Sequence, residues 1–170
     1  NGALSGSAAD VDAAFAGTVT EHTGTVTLTT APSVAQLKAI NAATTGAITL
    51  GVTNGALSGS TADLILAFAG TVTTHTGTVT ITDTPSVANL TTINAATTGA
   101  ITISGAGALS ESAANLATAF AGTISGYSGA VTVTTAPSVS QLKTINAATS
   151  GAITLGVTNG ALSGSAADVE

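Results

Sequence analysis

The chain contains no cysteine, methionine, tryptophan or arginine, and its only strong cations are Lys38 and Lys143. Without thiols there is no disulfide framework, no thiolate nucleophile and no cysteine-based metal site. Two lysines cannot build the basic patch that displaces counterions from a nucleic acid, so nucleic acid is excluded as a partner. Charged residues make up 6% of the 170 positions and aromatics 2%, and the net charge is −6. An ordinary globular domain is about 25% charged. Apolar runs are short and broken by Thr, Gly and Ser, well under the roughly 18 residues of a membrane span, so no transmembrane segment is expected. No signal-peptide pattern opens the sequence, which starts at Asn1 without a methionine.

What the chain has instead is repetition. Asn1-Gly2-Ala3-Leu4-Ser5-Gly6-Ser7 returns at Asn54 to Ser60, partly at Gly107 to Ser112, and again at Asn159 to Ser165. Leu4, Leu57, Leu109 and Leu162 are 53, 52 and 53 residues apart, and Phe15, Phe68 and Phe120 keep the same step. Within each unit the phrase Gly-x-[Ile/Val]-Thr-[Leu/Ile/Val] begins at Gly24, Gly46, Gly77, Gly99, Gly129 and Gly151. The intervals of 22, 31, 22, 30 and 22 residues describe a short coil alternating with a longer one.

The strand phrases alternate with period two. Val26, Ile48, Val79, Ile101, Val131 and Ile153 face one way, and Thr27, Thr49, Thr80, Thr102, Thr132 and Thr154 the other. Equivalent strands joined by more than a dozen residues are expected to be parallel. The connections read as helices. Val34, Leu37 and Ile40 share one face, and Ser33 with Gln36 and Ser138 with Gln141 form capping boxes. In the long coil, Ser7 with Asp10 and Ser60 with Asp63 place an acid at N3 behind a capping serine, where the helix dipole favours it. Gly46, Gly99 and Gly151 are read as helix-end breakers. Asn1 to Gly6 and its copies read as a turn with Leu4 tucked inward, and Thr18-Val19-Thr20 as a short second strand. The fold class expected is α/β: a single-domain α/β solenoid with one parallel strand and one short helix per coil. Residues 1–170 then form one continuous array of three long units and the start of a fourth.

Chemistry is sparse. The acids repeated between units have capping posts, and the others do not recur, so no metal is expected; a calcium-binding Gly-Gly-x-Gly-x-Asp series is absent. His22 and His75 share one repeat position with Tyr127, which reads as a partly exposed loop site tolerant of aromatic exchange. No Gly-x-Ser-x-Gly elbow exists and neither histidine has an evident Ser and acid partner, so neither catalysis nor a cofactor is expected. Asn89-Leu90-Thr91 is a formal glycosylation sequon, but Asn89 falls at helix position N3. Asn41, Asn94 and Asn146 each follow the last apolar residue of a short-coil helix and read as a structural ladder bonding backbone groups of the neighbouring coil. The threonine column is the one candidate binding surface. Its hydroxyls would repeat about every 4.8 Å across strands and about 6.6–7 Å along them, the array by which Thr-x-Thr solenoids resembling antifreeze proteins meet ice.

Gln36 to Leu50, and Ala-Phe-Ala-Gly-Thr-Val-Thr at Ala14 to Thr20, resemble the tandem repeats of giant cyanobacterial cell-surface proteins of the swimming-associated type. The coil is also loosely similar to leucine-rich repeats, from whose residue order it departs. The first resemblance implies an extracellular, low-charge array that extends or decorates a cell surface and carries over no catalytic residue. The function expected is therefore a rigid spacer or surface-layer and adhesin array, with an ice- or glycan-binding threonine face as the alternative. Glu170 falls where Asp12 falls in the first unit, so the sequence reads as an excerpt whose partners are neighbouring repeats, with end-to-end self-association where coils are left open.

Overall fold

A computed structural model describes residues 2–17, 19, 21–157 and 162. The first unit runs β1 (Leu4–Gly6), α1 (Ala8–Phe15), β2 (Val26–Leu28), α2 (Val34–Ala43) and β3 (Ile48–Leu50). The second runs β4 (Leu57–Gly59), α3 (Thr61–Ala67), β5 (Val79–Ile81), α4 (Val87–Ala96) and β6 (Ile101–Ile103). The third runs β7 (Leu109–Glu111), α5 (Ala113–Ala119), β8 (Val131–Val133), α6 (Val139–Ala148) and β9 (Ile153–Leu155). The protein is α/β, and its described residues form three small parallel sheets ordered β1-β2-β3, β4-β5-β6 and β7-β8-β9.

Each helix begins where a serine side chain replaces a missing intrahelical acceptor. Ser33 Oγ accepts from the Gln36 N–H at 3.2 Å while the Gln36 side chain accepts from the Ser33 N–H at 3.0 Å. Ser138 and Gln141 do the same at 3.2 and 2.9 Å. In α1 and α3 the serine hydroxyl accepts from the backbone of Asp10 or Asp63 and donates to that residue's carboxylate at 2.7 or 2.9 Å. A second cap comes from the next strand's exit: Thr30, Asp83 and Thr135 accept from the first N–H of α1, α3 and α5 at 3.0, 2.8 and 3.0 Å.

Registers follow the alternation of apolar and polar residues. Leu4 pairs Val26 and Val26 pairs Ile48; Leu57 pairs Val79 and Val79 pairs Ile101; Leu109 pairs Val131 and Val131 pairs Ile153. The inward residues of the strands meet Leu37, Ile40, Leu64, Leu90, Ile93 and Leu116 of the helices, all fully buried, in one cluster that spans the units.

Two expectations need correction. Leu4–Gly6, Leu57–Gly59 and Leu109–Glu111 form strands, because an inward Leu followed by an outward Ser fits a sheet face; Leu57 is 2% exposed, and the copy at 159–164 lies, but for Leu162, outside the described residues. The strand phrases also do not form one uninterrupted ladder. Between β3 and β4 only residues 51–56 intervene, too few for a helical crossover, so β4 opens a new sheet. The first two sheets gain one further residue each, through the parallel bridges Ile48–Val72 and Ile101–Ile124. Gly46 and Gly99 stand between a helix end and the next strand, as read from the sequence, and do so without a left-handed backbone: positive φ among the described glycines occurs at Gly17, Gly70, Gly122 and Gly126. They stack on Gly24 and Gly77, whose carbonyls a Cβ would strike. Absence of a side chain is what lets successive backbones approach there.

Candidate functional site

The threonines lie in three separate fields. Thr27 and Thr49 align with Ser5, Thr80 and Thr102 with Ser58, and Thr132 and Thr154 with Ser110. Thr49, Thr102 and Thr154 are exposed, whereas the central Thr27, Thr80 and Thr132 are half-buried. These six hydroxyls have no protein partner, so they are open to water or a ligand. Each field is three strands wide, because β3 and β5 belong to different sheets.

The positions read from sequence as partly exposed loop residues are in fact interior. His22, His75 and Tyr127 are 9%, 2% and 1% exposed. Each ring lies against a phenylalanine, with centroids 5.7 Å apart for Phe15–His22 and 5.9 Å for Phe68–His75 and Phe120–Tyr127. The ring donors each reach back twenty residues. His22 Nε2 donates to the Gly2 carbonyl at 3.0 Å, His75 Nε2 to the Gly55 carbonyl at 2.6 Å, and the Tyr127 hydroxyl to the Gly107 carbonyl. A carbonyl can only accept, which places the histidine proton on Nε2. Burial pushes the Tyr127 phenol above its usual pKa.

A threonine completes each niche. Thr44 donates its hydroxyl proton to the His22 carbonyl at 2.8 Å and accepts from the Gly46 N–H at 3.0 Å, with His22 Nδ1 at 3.4 Å. Thr97 repeats this around His75, and Thr149 around Tyr127. The sequence carried a signal for this niche that the reading above did not use. The three interchangeable residues all own a ring donor, all follow a phenylalanine by seven residues, and all follow a glycine by twenty.

The asparagines act between helices rather than on each other. Asn41 Nδ2 donates to the carbonyls of Leu66 and Ala69 at 2.8 and 2.7 Å, just where α3 runs out of intrahelical donors. Asn94 does the same for Ala119 and Ala121. Asn146 is exposed and makes no such bond.

Acidic groups are also held in the scaffold. Asp63 is kept below the usual carboxylate range by its 2.6 Å bond to Lys38, then by the Ser60 hydroxyl. Asp83 is lowered by the Thr61 hydroxyl and N–H, at 2.5 and 2.8 Å. Among the described residues no three His, Cys, Asp or Glu side chains gather as a metal would require. A cleft of about 390 Å³ between α2 and α3 is lined by Lys38, Asn41, Thr45, Gly46, Leu66 and Thr71, but its lysine and amide are already bonded to Asp63 and to α3. No described helix is long and apolar enough to cross a membrane. Compared with family models, curated proteins and solved structures, the chain matches none.

Proposed function

We propose that the chain is a segment of a structural repeat array: an α/β solenoid of 53-residue units that serves as a rigid spacer, surface-layer or adhesin element outside the cell, without catalysis. One observation carries this reading. The bonds that His22 makes to Gly2 and Thr44 recur at His75 with Gly55 and Thr97, and at Tyr127 with Gly107 and Thr149. Side chains that elsewhere do chemistry are here spent on joining one coil to the next, which suits a polymer whose stability sums over nearest-neighbour contacts. The resemblance to giant cyanobacterial surface proteins supplies the extracellular setting. Chains of two, three and four units test it. Two coils at strand spacing advance about 10 Å per added unit, so small-angle scattering should show length growing at constant cross-section while the melting temperature rises. A particle that instead becomes rounder with each unit would exclude a solenoid.

A second reading rests on the unpartnered hydroxyls of the three threonine fields, which could bind ice or a glycan. Thermal hysteresis or ice shaping that disappears in Thr80→Lys would favour it; no ice activity and no carbohydrate retention would leave the spacer alone.

A further inference from the structure

We propose that the Asn54–Gly55 pair is a site of spontaneous covalent modification, independent of the array reading. The backbone nitrogen of Gly55 attacks Cγ of Asn54 and closes a succinimide ring. The N–Cγ bond forms, the Cγ–Nδ2 bond breaks, and the Gly55 amide proton leaves with the side-chain nitrogen as ammonia. Water then adds across one of the two imide carbonyls and opens the ring to an aspartate or an isoaspartate. The sequence consumes only water and needs no oxidant, metal or enzyme.

Such a ring closure needs a side-chain amide that nothing holds and an unhindered, unbonded nitrogen after it. Asn41, Asn89, Asn94, Asn115 and Asn146 lie in helices and precede Ala or Leu. There the next N–H is tied into the helix, as at Leu90 and Leu116, which donate to Ser86 and Ser112 at 2.9 and 3.0 Å. Asn41 and Asn94 are further held through their side chains. Asn54 is exposed, stands between β3 and β4 in neither helix nor strand, and its side chain has no hydrogen-bond partner among the described residues. The Gly55 N–H has none there either, and a glycine brings no Cβ to shield its nitrogen. Bonding resumes directly on both sides: the Thr53 carbonyl accepts from the Thr76 and Gly77 N–H groups at 2.9 and 3.2 Å, and the Gly55 carbonyl from His75 Nε2 at 2.6 Å. An isoaspartate would place one extra carbon, about 1.5 Å of bond, in the main chain just ahead of that carbonyl. It thereby displaces the acceptor of the His75 bond and loosens the first joint between units. The third unit has Ala106 before Gly107, so the bond from Tyr127 forms there without a reactive side chain.

Trypsin cuts after Lys38 and Lys143, which puts the Asn-Gly pairs at 1–2, 54–55 and 159–160 on three different peptides. Folded protein kept for weeks in a mildly alkaline buffer should gain the mass of an amide-to-acid exchange in peptide 39–143, and fragmentation should place it at position 54. The rate should climb with pH, since the attacking nitrogen must lose its proton, and an isoaspartyl methyltransferase should label the product. Asn54→Ala, which installs the residue found at Ala106, should fold and melt like the fresh wild type and leave peptide 39–143 unchanged. Wild type aged in this way should melt below Asn54→Ala aged beside it, because both carry any change at positions 1 and 159. A folded chain that keeps the Asn54 amide while the same chain in urea loses it would overturn the proposal, as would modification falling on Asn41 or Asn94 instead. Equal melting of the two aged proteins would overturn the link to His75.

Discussion

The ring at position 75 offers the sharpest test of why the repeats hold together. Replacing His75 by Phe keeps a ring against Phe68, now 5.9 Å away, and changes the packing volume little. It removes the donor to the Gly55 carbonyl at 2.6 Å and the Nδ1 contact with Thr97 at 3.2 Å. The Gly55 carbonyl is half-buried, so leaving it without its donor costs at most the about 1–3 kcal/mol of a fully buried acceptor. For a chain of this length each kcal/mol moves the melting temperature by about 2–4 °C, so His75→Phe should melt lower, by up to about 12 °C. His75→Tyr keeps the bond to the carbonyl and drops only the Nδ1 contact, since Tyr127 delivers a hydroxyl proton to Gly107 from the same repeat position and has no second polar ring atom. It should keep most of the stability that Phe loses. Urea unfolding of the three proteins, read by circular dichroism, gives the comparison. If Tyr is as damaging as Phe, or if neither changes stability, the ring-to-carbonyl bond is not what fixes the coil spacing.

Other outcomes follow from the same geometry. Gly46→Ala should destabilise by about 1–3 kcal/mol or more, because its Cβ meets the Gly24 backbone rather than a side chain that can turn away; Gly2→Ala, with open space around it, is the neutral control in the same melting assay. Leu90→Ala, at a fully buried position, should cost about 2–5 kcal/mol in chemical denaturation. Asp63 and Asp83 are both lowered when folded, so their contribution is complete above the ordinary carboxylate pKa and is lost as pH falls through the lowered folded values. Stability followed by melting should therefore be flat near neutrality and decline below about pH 4. Asp83→Thr, which restores the cap used at Thr30 and Thr135, should shrink that decline.

The helices were legible because two independent signals coincide in them: a serine at the cap and apolar residues three apart, as in Ser33 with Val34, Leu37 and Ile40. The strand phrases were legible because a β-branched residue, a threonine and an aliphatic alternate in all six. Coil lengths alone say nothing about which neighbour a strand pairs with, which is why three ladders were read as one. Leu4-Ser5-Gly6 is too short, and too rich in small residues, for periodicity to separate a strand from a turn. His22 and His75 were read as partly exposed loop residues, yet a histidine sits in the interior where its ring donor finds an acceptor and its other nitrogen lies beside a hydroxyl. Those partners, Gly2 and Thr44, lie a full coil away on either side, beyond the reach of any local pattern.

The joints between sheets have a consequence for damage. Pairing narrows to a single residue at Ile48–Val72 and again at Ile101–Ile124, and every ladder is three strands wide. A strand torn from one ladder can unzip at most its two companions before the rupture leaves the ladder and meets scattered bonds, those of Ile48 with Thr71 and Thr73 and of Thr53 with Thr76 and Gly77. Cohesion across that joint is shared between those bonds and the packed helices α2 and α3, whose apolar contacts do not fail in sequence as a ladder does. A local tear is thereby contained within its own unit.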